Sequence, residues 1–189
     1  MQQELEAIKR RHNWSRLDKA KWDKISESEI LSEAFIREYQ NKLNWSYVSA
    51  FQILSESFIC EFKNKVDWAF ISRCQKLSEP FMTTFQDKID WSRISMHQEL
   101  SESFINDFYN KVDWDYVSSC QTLSEKFIRK YEDKVYWPHI SIFQTLSENF
   151  IREFKNKVDW DEIFKYQYVA PDTLESIKNS KNKNKKKKR

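Results

Sequence analysis

Three residues with the chemistry of zinc ligands stand at equal intervals in this sequence: Cys74, His97 and Cys120 are each 23 residues apart. Thiolate and imidazole groups bind zinc at about 2.0–2.3 Å, and a tetrahedral site gathers them around one ion. If the interval is one repeat of packed helices, the outer two residues would lie roughly 16–20 Å apart, too far for one ion. Aromatic residues occupy the same position elsewhere, at Phe51, Phe143 and Tyr166. We therefore expect a half-buried packing column here, with no metal and no cofactor.

No group of residues suited to catalysis recurs along the chain. The histidines, His12, His97 and His139, stand at unrelated positions, and no nucleophile has a base and an orienting group at a fixed spacing. The sequence also contains no glycine, which excludes the glycine-rich loops that bind phosphate groups. We therefore interpret the chain as non-enzymatic.

The C-terminal segment could bind a polyanion. Residues 178–189 hold eight lysines and arginines and no acidic residue, whereas the rest of the chain carries a net charge of −5. Such a run can bind nucleic acid by releasing counterions, or act as a nuclear localisation signal or a solubilising tail. The acidic body opposes nucleic acid lying along the rest of the chain. The candidate polyanion-binding residues are Lys183, Lys185, Lys186, Lys187, Lys188 and Arg189.

A constant interval between tryptophans indicates how the chain is built. Seven of the eight tryptophans are spaced 23 residues apart, and such periodicity is the signature of a repeat fold. The second of six copies reads LSESFICEFKNKVDWAFISRCQK. The copies begin at Leu31, Leu54, Leu77, Leu100, Leu123 and Leu146, after a half unit at 22–30. The periodic tryptophans are Trp22, Trp45, Trp68, Trp91, Trp114, Trp137 and Trp160.

Each copy carries two signals for the start of a helix. In the second copy, Ser55 is expected to cap a helix over roughly 55–64, with Glu56 where the helix dipole favours a carboxylate. Asp67 is expected to cap a second helix over roughly 67–75, which Trp68 opens. Between the helices, Asn64 and its Asn or Asp equivalents are expected to take the left-handed conformation that ends a helix without glycine.

Three residues vary this pattern. Pro80 and Pro138 fall in first helical turns, where proline is tolerated. Tyr136 stands where the other copies have Asp or Asn, so the second helix of the fifth copy should start less firmly.

The apolar positions predict an all-α solenoid of six stacked helix–turn–helix repeats. One copy buries too little apolar surface to fold alone, so neighbours must share the burial. The tryptophans are predicted to belong to this core, although tryptophans can also stack on nucleic-acid bases. The predicted organisation is an N-terminal capping helix at 1–21, the solenoid at 22–168, a C-terminal cap at 169–177 and a disordered lysine-rich tail at 178–189.

Polar residues also recur in every copy and are predicted to connect adjacent repeats through caps and side-chain contacts rather than to face a periodic partner. They are the Ser-Glu pair at the start of each copy and two sets of single residues. The first set is Lys42, Lys65, Lys88, Lys111, Lys134 and Lys157, and the second is Gln52, Gln75, Gln98, Gln121, Gln144 and Gln167.

The pattern LSExFIxxFxxKVDWxxIS, over residues 22–168, resembles the short Trp-containing tandem-repeat proteins that giant DNA viruses of amoebae and related large viruses encode in many copies. The resemblance implies a viral protein that acts in an infected cell or is packed in a particle. It implies no catalytic residues, because the family has no assigned biochemistry.

The positions that vary between copies are the candidates for binding. A constant frame with varied exposed residues is typical of a binding surface built by repetition. We therefore predict a scaffold for protein–protein interaction, with nucleic-acid binding through the tail or a structural role in the virion as alternatives. With no apolar signal or membrane-spanning segment, we expect an intracellular or virion location without membrane contact. The candidate partner-binding residues are Tyr47, Phe70, Arg93, Tyr116, His139 and Glu162.

Overall fold

The computed structural model describes residues 2–170, and this range contains fourteen α-helices and no β-strand. The predicted all-α repeat architecture is therefore confirmed. No helix in this range is long and apolar enough to cross a membrane. The chain divides into two compact units, Met1–Glu99 and Leu100–Arg189, which we call the N-terminal and C-terminal units.

Both units repeat a short first helix and a short second helix. The N-terminal unit contains α1 (Gln2–Arg11), α2 (Lys19–Ser28), α3 (Glu33–Glu38), α4 (Trp45–Phe51), α5 (Glu56–Glu61), α6 (Trp68–Cys74), α7 (Glu79–Thr84) and α8 (Trp91–His97). The C-terminal unit contains α9 (Glu102–Asp107), α10 (Trp114–Cys120), α11 (Glu125–Lys130), α12 (Trp137–Phe143), α13 (Glu148–Glu153) and α14 (Trp160–Tyr166). The second helices stack on one another, α2 on α4, α4 on α6 and α6 on α8 in the first unit, and α10 on α12 and α12 on α14 in the second.

The predicted caps are confirmed. The Ser55 hydroxyl accepts the backbone N–H of Phe58 at 3.2 Å, and the Asp67 carboxylate accepts the N–H of Ala69 at 3.1 Å. Each bond satisfies an amide that has no partner inside the helix. Tyr136 makes no side-chain cap, as predicted, yet α12 starts at the same register position as its counterparts, with Pro138 in its first turn.

The prediction of a left-handed residue between the two helices is wrong. Within residues 2–170, only Asn13 has a positive φ among the non-glycine residues. In the second copy the first helix ends at Glu61, and Phe62 follows it as the C-cap with φ −105° and ψ 26°. The Phe62 carbonyl accepts the N–H groups of Lys65 and Val66 at 2.8 and 3.1 Å. This turn reverses the chain with negative φ, so it needs no glycine.

The core is made by aliphatic and phenylalanine side chains. Phe58, Ile59 and Ile71 are completely buried, and Leu54 and Val66 nearly so. The prediction that every periodic tryptophan lies in the core is wrong in part. Trp22 and Trp160 are buried, whereas the other five are half-buried.

The ends of the chain differ from the predicted boundaries. The expected capping helix at 1–21 is shorter, since α1 ends at Arg11. A separate helix, α2, starts at Lys19 with Asp18 as its cap and carries Trp22 in its interior. Of the predicted C-terminal cap, only residues 169 and 170 are described. The predicted tail at 178–189 lies outside the described residues.

Candidate protein-binding surface

The repeated glutamine joins each repeat to the one before it. In the N-terminal unit, Gln75 donates from Nε2 to the carbonyls of Ser49 and Gln52, at 3.0 and 2.7 Å, and its Oε1 accepts the N–H of Leu54 at 3.0 Å. The side chain is buried, and buried polar groups require such partners. The same three bonds recur at Gln52 and Gln98 in the N-terminal unit and at Gln144 and Gln167 in the C-terminal unit.

A buried serine serves the second helix in the same way. Ser49 donates its hydroxyl to the Trp45 carbonyl at 2.7 Å and accepts the N–H of Asp67, in the next repeat, at 2.9 Å. In the C-terminal unit, Ser141 accepts the N–H of Asp159 at the same distance, 2.9 Å. The backbone N–H of the capping residue thus donates to a serine of the preceding repeat. The sequence offered a signal for this role, since the serine recurs in five of the six copies and only the last has Phe164 in its place, but it was not singled out from the sequence.

The repeated glutamate caps across the boundary between repeats. Glu33 accepts the N–H of Ser55 at 2.8 Å and is paired with Arg37 at 3.6 Å. Burial acts to raise the pKa of Glu33, but the hydrogen bonds from Ser55 and the charge of Arg37 together lower it. In the C-terminal unit Glu125 accepts the N–H of Ser147 at 2.6 Å.

The tryptophan rings are covered by the following repeat. Trp45 packs against Phe62 with ring centroids 5.0 Å apart, and its indole N–H donates to the Gln40 carbonyl at 2.9 Å. Lys65 lies over the ring at 5.8 Å, close enough for a cation–π interaction. Trp137 in the C-terminal unit has the same partners, with Lys157 at 5.8 Å. These contacts give the tryptophan rings a structural role between neighbouring repeats.

At the N-terminal end of the stack, other residues take the positions of the repeated glutamine and glutamate. Glu29 stands at the register position of the repeated glutamine, and its buried carboxylate accepts from Arg11 and lies 2.6 Å from His12 Nε2. Glu4, on α1, accepts the N–H of Ser32 at 3.0 Å, as the glutamate of a preceding repeat would. The N-terminal segment therefore takes the place of a missing repeat.

The predicted partner-binding residues lie on the second helices but are less exposed than expected. Tyr47 is exposed, whereas Phe70, Arg93, Tyr116, His139 and Glu162 are half-buried. Arg93 is further engaged by Asp90, with Nε and Oδ2 3.1 Å apart.

The last residue of each second helix is more exposed, and the prediction of a half-buried packing column there is wrong. Phe51 and Phe143 are 58% and 56% exposed, and Cys74 and Cys120 are free thiols on the surface. This position faces solvent because the helix ends there and the chain turns away. Within residues 2–170, no cluster of three or more His, Cys, Asp and Glu side chains is placed to hold a metal ion.

Aromatic side chains form local groups on this surface in each unit. In the N-terminal unit the rings of Tyr47 and Phe51 lie 6.0 Å apart. In the C-terminal unit His139 contacts Tyr136 and Phe143 edge-on, with centroids 4.7 and 5.7 Å away. We call the outer positions of the second helices and the loops that follow them the second-helix face.

The residue two positions after each second helix was not singled out from the sequence. Ile30 and Ile53 occupy this position in the N-terminal unit and are 95% and 91% exposed. The available signal was their apolar character at a place where later copies have polar residues. Beside the same position in the next two repeats is an open groove lined by Arg73, Cys74, Lys76, His97 and Glu99, with the two buried glutamines and Leu77 at its base.

Comparison of the chain with protein-family models, with curated proteins and with solved structures finds no match.

Proposed function

We propose that the protein is a non-enzymatic repeat scaffold that binds another protein through the second-helix face. One observation carries the proposal. The polar residues common to all repeats are used within the stack, while the exposed apolar side chains concentrate on the second-helix face. Among the described residues of the N-terminal unit, the large apolar residues that are exposed all lie there: Ile30, Tyr47, Phe51, Ile53 and Met96.

The chemistry of this face suits a protein partner. Exposed aromatic and methionine side chains are enriched at the centres of protein interfaces, where they bury much area at low entropic cost. A surface of serines and glutamates alone would bury less apolar area against a partner.

Capture experiments with matched variants test the proposal. The full-length protein would be used as bait in extracts of infected cells, beside the double variant Phe51→Ser/Phe143→Ser and the control Tyr109→Ser. Tyr109 is an exposed aromatic residue that follows a first helix. We expect the same proteins on the native bait and the control, their loss from the double variant, and no effect of nuclease. Equal capture by all three baits would exclude the second-helix face.

The resemblance to the repeat proteins of giant viruses leads us to propose a viral origin and a place in the infected cell or the particle. A structural role in the virion is the alternative within this setting. Quantitative mass spectrometry of purified particles distinguishes the two, because a virion component is retained at constant stoichiometry through purification.

The composition of residues 178–189 favours a second candidate function, nucleic-acid binding. If most of the eight basic residues contact single-stranded nucleic acid, log K should fall with log salt at a slope of roughly −4 to −6. The test compares the full-length protein with a chain ending at Ile177 across a salt series. Equal binding by both would exclude the tail as the contact, and absence of binding by the full-length protein would exclude this function.

A further inference from the structure

The exposed position two residues after each second helix changes character along the N-terminal unit. It is held in successive repeats by Ile30, Ile53, Lys76 and Glu99, all of them exposed. The folded chain gains nothing from two isoleucines that lie more than nine-tenths in water. Adjacent exposed apolar groups of this kind are typical of an interaction site.

The two charged residues of this series are available to a partner. Among the described residues, neither Lys76 nor Glu99 has an ion-pair partner within the chain. Both line the open groove described above, which also carries Arg73 and His97. The part of the groove around Lys76 is therefore positive, and the part at Glu99 is negative.

The spacing of the series matches an extended peptide. Packed helices lie about 8–10 Å apart, so equivalent positions in neighbouring repeats are separated by about that distance. Three residues of an extended chain span about 10 Å, at 3.3 Å each. Successive repeats would therefore meet every third residue of a segment that runs along the stack.

Resting on the proposed function, we propose that the N-terminal unit binds an extended segment of its partner in which every third residue is, in order, apolar, apolar, acidic and basic. The apolar side chains pack on Ile30 and Ile53, the carboxylate pairs with Lys76, and the basic group pairs with Glu99. The equivalent positions of the C-terminal unit, Thr122, Thr145 and Tyr168, carry no charge, so the charge order belongs to the N-terminal unit.

The test uses synthetic peptides and the full-length protein. The probes are labelled peptides of serine and alanine with leucine, leucine, aspartate and lysine at every third position, in both chain directions. Two comparison peptides are used, one with the sequence scrambled and one with the aspartate and lysine exchanged. Binding is followed by fluorescence anisotropy and by chemical-shift changes at Ile30, Ile53 and Lys76.

We expect the ordered peptide, in one of its two chain directions, to bind more tightly than the scrambled peptide and the charge-exchanged peptide. Ile53→Ser should weaken binding about tenfold, because a buried aliphatic contact is lost. The double exchange Lys76→Glu/Glu99→Lys should invert the preference towards the charge-exchanged peptide, by about threefold to tenfold in the ratio of Kd values. Thr145→Glu, at the same register of the C-terminal unit, is the control and should change nothing.

Three results would overturn the proposal: equal binding of ordered and scrambled peptides, no effect of Ile53→Ser, or no change of preference on charge exchange. Self-association that is abolished by Ile53→Ser would assign the site to a second copy of the chain instead. Binding to anionic phosphatidylserine vesicles that Ile53→Ser abolishes would assign it to a membrane surface. If the capture experiment with Phe51→Ser/Phe143→Ser still identifies partners, the proposed function survives the failure of this inference.

Discussion

Gln75 accepts the backbone N–H of Leu54, which lies 21 residues earlier in the chain, at a distance of 3.0 Å. The same side chain donates to the Ser49 and Gln52 carbonyls of the preceding repeat, so one amide satisfies three backbone groups at the junction of two repeats. The buried backbone groups at this junction therefore have hydrogen-bond partners although they lie outside a helix.

Replacing this glutamine should weaken the stack severely. Gln75→Leu keeps the volume but leaves three buried backbone groups without partners, and each such group costs about 1–3 kcal/mol. Some of these backbone groups would form hydrogen bonds with water in the variant, which reduces the total cost. We therefore expect the free energy of unfolding, measured by urea denaturation, to fall by about 2–4 kcal/mol. The neighbouring exposed residue, Lys76, supplies the control. Lys76→Ala should change the free energy of unfolding by less than about 0.5 kcal/mol. A similar small effect of both substitutions would mean that the bridge contributes little.

The glutamate that caps the next repeat should make stability depend on pH. The lowered pKa of Glu33 means that its contribution is present above the pKa of the unfolded chain and is lost as the pH falls through the folded value. Glu33→Gln keeps an acceptor oxygen but removes the charge. We expect the native protein to lose more stability than this variant between about pH 5 and pH 3, in urea denaturation at each pH.

Glu38 gives a matched comparison, since it is exposed on the same helix. Glu38→Gln should leave the pH dependence as in the native protein. Parallel pH profiles for the native protein and Glu33→Gln would show that the cap across repeats does not depend on charge.

Loss of a half-buried tryptophan should cost less than loss of a core aromatic residue. The Trp68 ring packs on Phe85, with centroids 5.0 Å apart, and its N–H donates to the Lys63 carbonyl at 3.0 Å. We expect Trp68→Ala to destabilise by about 2–3 kcal/mol, below the 3–5 kcal/mol that is usual for large buried aromatics. Trp68→Phe should cost less than the alanine substitution, since it retains the ring contact. Thermal and urea unfolding measure both, and a cost below about 1 kcal/mol for the alanine variant would exclude a structural role for the ring.

The missing cap at Tyr136 allows a gain of stability by design. Tyr136→Asp should restore the hydrogen bond between the cap side chain and the first turn of α12, which stabilises by about 1 kcal/mol. The loss of the edge-on contact between Tyr136 and His139 reduces this gain. The reciprocal change, Asp67→Tyr, should remove a working cap and destabilise by about 1 kcal/mol. Opposite shifts in Tm are expected for the two variants. Shifts of the same sign would show that the cap does not limit the stability of this helix.

The helix starts could be predicted because they depend on neighbouring residues. Ser55 and Asp67 accept amide protons two or three residues ahead, so their identity and the apolar pattern after them were sufficient evidence. The end of the first helix was predicted wrongly at Asn64. There the Phe62 carbonyl accepts two amides in a turn of negative φ, and Asn and Asp residues do not require a left-handed backbone.

The candidate site was only partly predictable, because the exposure of its residues depends on contacts outside each repeat. The second helices and their variable positions were identified from the sequence. Phe70 and Tyr116 are less exposed than predicted, Phe51 is more exposed than predicted, and Ile53 was not singled out. A residue's exposure at the end of a helix depends on where the chain goes next and on what the adjacent repeat covers. Neither is contained in the periodicity of one repeat.

The sequence by itself determined the period, the all-α class, the caps and the apolar stripe of each repeat, because these follow from contacts within a few residues. Only the tertiary structure decided the partners of Gln75, Ser49 and Glu33, the half-burial of Trp68 and the exposure of Ile53. Those properties arise between repeats, from groups 18 to 26 residues apart that meet only when neighbouring helices stack. A recurring polar residue can face a partner or bind the preceding repeat, and the distance between their atoms decides which.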